Sequence, residues 1–167
     1  MKTQAKKTAV LGVLTAVALV LSYVEAILPP IYSAIPGIKM GLPNIIIVFM
    51  LYKFGIKETL VVSLIRVVVT TMLFGNFMML AYSIAGAGLS LLIMVVLKKT
   101  DRFSTVGVSI AGGVFHNLGQ VLVAMLLLDS AQIGYYMLVL AITGTIAGGF
   151  IGLAGAYVFK RTENLKI

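Results

Sequence analysis

Long apolar runs separated by short basic breaks constrain this chain more than any other feature. Thr8 to about Leu28, Met78 to Leu97, Ser104 to Leu128 and Gly134 to Phe159 are each long enough to cross a bilayer, since a span takes roughly 20 residues at about 1.5 Å rise each. A further run, about Lys57 to Gly75, carries Arg66 in its middle, and the run ending at Tyr52 is too short to span alone. The chain is 60% hydrophobic and 11% charged, where soluble domains hold about 45–50% apolar and about 25% charged residues. No polar stretch is long enough to fold by itself, so a soluble ectodomain is excluded. The expected fold is an all-α integral membrane protein forming one domain over residues 1–167. Its six transmembrane helices would cover about 8–28, 42–54, 57–75, 78–97, 104–128 and 134–159. The first run is too long for a signal-peptide core and ends in Pro29-Pro30, so it reads as a retained helix.

Charge then sets orientation. Of thirteen Lys and Arg, Lys2, Lys6 and Lys7 lead the chain, and Lys53 and Lys57 lie between the second and third runs. Lys98, Lys99 and Arg102 follow the fourth, and Lys160, Arg161 and Lys166 close the chain. All of these fall on one side of a six-span layout, leaving Arg66 within the membrane and Lys39 opposite. The asymmetry places both termini in the cytoplasm of a multi-pass plasma-membrane protein, read as prokaryotic. The net charge of +8 is spread between spans rather than along one helix face, so no nucleic-acid partner is expected. There is no cysteine, one histidine and five acids. Neither a thiolate site nor a protein-built metal centre is expected, and no cofactor.

Polar groups inside such runs must find protein, trapped water or a ligand. The segment Gly112-Gly113-Val114-Phe115-His116-Asn117-Leu118-Gly119-Gln120 sits mid-run. Its His116, Asn117 and Gln120 are three and four residues apart, an arrangement expected to turn all three to one side of a helix. Arg66, nine residues beyond Lys57, lies about 13 Å deep, and its nearest partners on other spans read as neutral. Lys39, in the Pro/Gly-rich segment before residue 44, counts back to roughly 21 Å from the inner boundary. Asn44, Asn76 and Tyr82 lie further out, with Glu25 and Asp129 near the outer rim. The expected site is an outward-facing pocket formed by Lys39, Asn44, Arg66, Asn76, Tyr82, His116, Asn117 and Gln120. Its ligand would carry a carboxylate or other anion on an aromatic or apolar body.

No phosphate loop, nucleophile elbow or zinc-protease motif is present, so no catalytic residues are expected and the chain reads as a non-enzyme. Small residues recur at four-residue steps in the first run, Ala5 with Ala9 and Gly12 with Ala16. They recur again in the last run, at Gly144, Gly148 and Gly152. Such ridges admit close helix approach, within the bundle or from a partner.

The stretch Pro36-Gly37-Ile38-Lys39-Met40-Gly41-Leu42-Pro43-Asn44-Ile45, the Arg66 helix and Phe115-His116-Asn117-Leu118-Gly119-Gln120 resemble the Gx transporter family. That family is also labelled heptaprenyl diphosphate synthase component I and is similar to the S components of energy-coupling-factor transporters. The resemblance implies an S-component-like bundle capturing a small vitamin-like or quinone-precursor molecule from outside. It also implies a transmembrane coupling subunit and two cytoplasmic ATPases as partners, the first helix docking the coupling subunit through Ala5 and Ala9 or Gly12 and Ala16. The alternative is a non-catalytic membrane subunit tethering an isoprenoid- or quinone-synthesis or redox enzyme.

Overall fold

The computed structural model describes residues 2–27 and 41–164. Among them every regular element is helical. These are α1 (Lys2–Ile27), α2 (Asn44–Lys53), α3 (Ile56–Phe74), α4 (Phe77–Lys99), α5 (Thr105–Leu127) and α6 (Met137–Thr162), with a 3-10 turn at Ala131–Tyr136 leading into α6. Among the described residues four helical stretches are long and apolar enough to cross a membrane: Gln4–Ile27, Phe77–Lys99, Thr105–Leu127 and Ala131–Thr162. The other two helices are of different character. α3 carries Lys57, Glu58 and Arg66, and the ten residues of α2 reach about 15 Å, half of a roughly 30 Å core.

Local chemistry sets the breaks. Gly55 separates α2 from α3 at φ 98°, a backbone state that glycine reaches without a Cβ clash. The Asn76 side-chain oxygen accepts from the Met79 N–H and starts α4 at Phe77. The Ser104 hydroxyl does the same for α5, accepting from the Gly107 N–H. Both are N-cap contacts that satisfy an orphan donor of the first turn.

The short α2 is the most deeply placed helix: Ile46, Ile47, Val48, Phe49, Met50 and Leu51 are all buried. It packs chiefly on α6 and on α3, while α5 lies between α4 and α6. α1 leans mainly on α3. Two contacts show that pair to be parallel and in register, because both join residues 51 apart in sequence. The Lys7 ammonium lies 2.5 Å from the Glu58 carboxylate, and the Tyr23 and Phe74 rings are 5.5 Å apart.

The basic end of the bundle is tied by lysines on helix C-termini. Lys53 Nζ donates to the carbonyls of Thr162 at 2.6 Å and Glu163 at 3.0 Å, ending α6. Lys98 Nζ donates to the Leu51 carbonyl at 2.5 Å in the last turn of α2 and lies over the Tyr52 ring. Cations there offset the negative end of the helix dipole. Lys98→Met is therefore expected to lower stability by about 1–2 kcal/mol. Glu58→Gln, at a largely solvated pair, should stay within about 1 kcal/mol. Thermal unfolding of both variants in detergent checks the order.

Candidate functional site

The glycine-rich segment of α5 serves two neighbours at once. Gly112, His116, Gly119 and Gln120 share one face, toward α4. A Cβ on Gly112 would fall 2.7 Å from Met94 Sδ, one on Gly119 would fall 2.7 Å from the Ala85 carbonyl oxygen, and one on Gly86 would meet Gln120 Cγ and the His116 ring. Gly113 and Asn117 share the next face, toward α6. A Cβ on Gly113 would lie 2.5 Å from the Gly144 carbonyl oxygen, and Asn117 Nδ2 donates to the Leu140 carbonyl at 2.6 Å. The structure thus keeps His116 and Gln120 together and turns Asn117 onto another helix. One residue step rotates a side chain by about 100°, which separates positions 116 and 117 between two seams. Asn117→Leu should loosen this end of α6 by about 1–2 kcal/mol, because the bond to Leu140 is lost.

The last-run glycine ridge is resolved in the same way. Gly144 and Gly148 meet the backbone of α5 at Gly113 and Ser109–Ile110, and Gly152 meets Val106 and Ser109. That ridge is packed within the bundle. Ala5, Ala9, Gly12 and Ala16 of α1 lie instead on the exposed surface, and a Cβ at Gly12 would meet nothing within 4 Å.

Arg66 lies on α3 with its Nε buried and without a hydrogen-bond partner, and Thr70 Oγ1, one turn on, is in the same state. A buried guanidinium in an apolar setting is costly unless charge or hydrogen bonds offset it. The charge comes from Glu25: its carboxylate acts electrostatically on Arg66. Glu25 also accepts the Gly41 N–H just ahead of α2, so it reaches from α1 toward the start of that helix. This corrects the expectation that the nearest partners of Arg66 on other spans are all neutral. Asn44 is the first residue of α2, and its Nδ2 lies 3.0 Å from where a Gly41 Cβ would be. Gly41 itself sits at φ 74°. Glu25, Gly41 and Asn44 thus meet where α1 reaches the start of α2, with Arg66 on α3 within electrostatic range of Glu25.

The remaining candidates lie elsewhere. Asn76 is exposed and engaged as the α4 N-cap. Tyr82 is half-buried, six residues into α4. Lys39 lies outside the described residues. Glu25 and Thr70 were not legible as site residues from spacing, since depth counts along an axis say nothing of lateral reach. Among the described residues no three His, Cys, Asp or Glu side chains come together.

Comparison with known proteins adds one positive finding. The model of a family described as heptaprenyl diphosphate synthase component I matches residues 14–158. No curated protein and no solved structure gives a significant match. The family match runs from inside α1 almost to the end of α6, and the chain accordingly belongs to the heptaprenyl diphosphate synthase component I family, which is Gx transporter-like.

Proposed function

We propose that this protein is the membrane-embedded substrate-binding subunit of an energy-coupling-factor-type importer, capturing a small vitamin-like or quinone-precursor molecule from outside the cell. The observation that carries this reading is Arg66: a half-buried arginine whose Nε is buried and unpartnered, with one carboxylate charge acting on it. Intramembrane ionisable groups of that kind mark ligand pathways more often than lipid contacts. In this reading the chain crosses a prokaryotic plasma membrane six times as an S-component-like bundle, with both termini in the cytoplasm. The basic lead and the Lys53, Lys98 and Lys160-Arg161 end then face inward. Small residues exposed along α1 suit a coupling subunit, which would bring two ATPases, because close backbone approach needs small side chains.

The subunit is read as non-catalytic. Its two aspartates, Asp101 and Asp129, are exposed and follow different helices, α4 and α5, so no acid cluster presents itself for the magnesium of a diphosphate substrate. The family's description favours a second reading, a membrane subunit tethering an isoprenoid- or quinone-synthesis or redox enzyme.

Native mass spectrometry after gentle detergent extraction separates the two. The importer reading expects a retained small molecule and co-purified coupling and ATPase subunits. Arg66→Met should lose the small molecule, with affinity down by at least about 30-fold, while eluting as a folded protein. A stable complex with a soluble enzyme and no ligand would support tethering. Equal ligand retention by Arg66→Met and the parent chain would overturn Arg66 as the anchor.

A further inference from the structure

We propose that the cleft between α1 and α3 is a ligand site for a small planar aromatic acid. Its carboxylate would be held by Thr70 and Arg66, and its ring by Tyr23 and Phe74. The inference rests on the capture reading above and gives it a location and a ligand class. The cleft has a volume of about 270 Å³ and is lined by Leu19, Val20, Tyr23, Thr70, Leu73 and Phe74. That is just under the roughly 300–1,000 Å³ of drug-sized pockets, so its occupant is small.

Thr70 is the anomaly. Hydroxyls in the helices here characteristically donate one turn back: Thr15 to the Leu11 carbonyl, Ser22 to Ala18, Thr59 to Gly55 and Thr145 to Ala141. Thr70 Oγ1 is buried and makes no such bond, and Arg66 Nε four residues earlier is likewise unmet. Residues four apart share a helix face. Glu25 acts on Arg66 through space but hydrogen-bonds to neither orphan atom, so two donors on one face, one of them cationic, are left for a further acceptor group. Above them, at the end of α3, the Tyr23 and Phe74 rings are tilted at 41° and part-exposed, a geometry that receives a third ring edge-on or offset. Along α3 the order is aromatic at Phe74, hydroxyl at Thr70 and guanidinium at Arg66, one turn beyond the residues that line the cleft, and an aromatic acid entering carboxylate first would follow that order.

The test is photolabelling of the full chain in detergent with 4-azidobenzoate, against neutral phenyl azide. The acid is expected to label peptides carrying Leu19–Tyr23 or Thr70–Phe74. Thr70→Val, which keeps shape and removes the donor, should cut that labelling about tenfold and leave phenyl azide labelling unchanged. Val20→Trp should block both probes at the cleft. Equal cleft labelling by acid and azide, insensitive to Thr70→Val, would reduce the cleft to apolar lipid-facing surface and overturn the proposal. Acid labelling confined to α5 around His116 would also overturn it while leaving small-molecule capture standing. Acid-specific cleft labelling in a protein that purifies with a soluble enzyme would support the site and remove the importer reading alone.

Discussion

Gly148→Leu is expected to separate α5 from α6 and to destabilise the bundle by about 3 kcal/mol, the upper end for overpacking a filled interface. A Cβ at Gly148 would fall 2.7 Å from Ile110 Cα and 2.8 Å from the Ser109 carbonyl oxygen. Both are backbone atoms, so no rotamer change can make room. The neighbouring Gly149 supplies the control, because a Cβ there meets nothing within 4 Å. Gly149→Leu should leave the unfolding midpoint unchanged to within about 0.5 kcal/mol. Thermal unfolding in a single detergent reads both variants. Matching midpoints for the two would show that α5 and α6 do not touch through backbone at Gly148.

The second large effect belongs to Glu25. Glu25→Gln keeps an oxygen for the Gly41 N–H and removes only the charge that acts on Arg66. The half-buried guanidinium then loses the carboxylate charge that acts on it. Stability should fall by on the order of 2–3 kcal/mol, somewhat under the roughly 3–5 kcal/mol seen when a contacting buried pair loses one member. Adding Arg66→Met to the same chain should recover most of the loss, since the stranded charge goes with it. A double variant as unstable as Glu25→Gln would show that the carboxylate acts through Gly41 alone. The pair forms a double-mutant cycle, so the coupling is measured rather than inferred from either single change.

How much of this was legible beforehand follows from the physics of each signal. Apolar length gave α1, α4, α5 and α6, because hydrocarbon thickness demands a fixed number of residues. The α4 and α5 starts follow from Asn76 and Ser104, whose side chains cap the backbone beside them. The site was harder. Reading His116, Asn117 and Gln120 as one face overlooked the 100° step between adjacent residues, and Asn117 spends its amide on Leu140. The role of Glu25 depends on where α1 lies against α2 and α3, which no count along one helix supplies. Thr70 was invisible for the opposite reason: a helical threonine ordinarily satisfies itself on the preceding turn, and one that does not is distinguished only by its packing in the fold.

The glycine seams divide the molecule mechanically. Where α4, α5 and α6 meet through backbone, few side chains are left that could switch rotamer and let the helices slide, so these three behave as a stiff frame. α1 is held to α3 by side chains, among them the ion pair at one end and the ring contact at the other. Side-chain contacts of that kind yield by rotation about single bonds, so the α1–α3 boundary is the more compliant one.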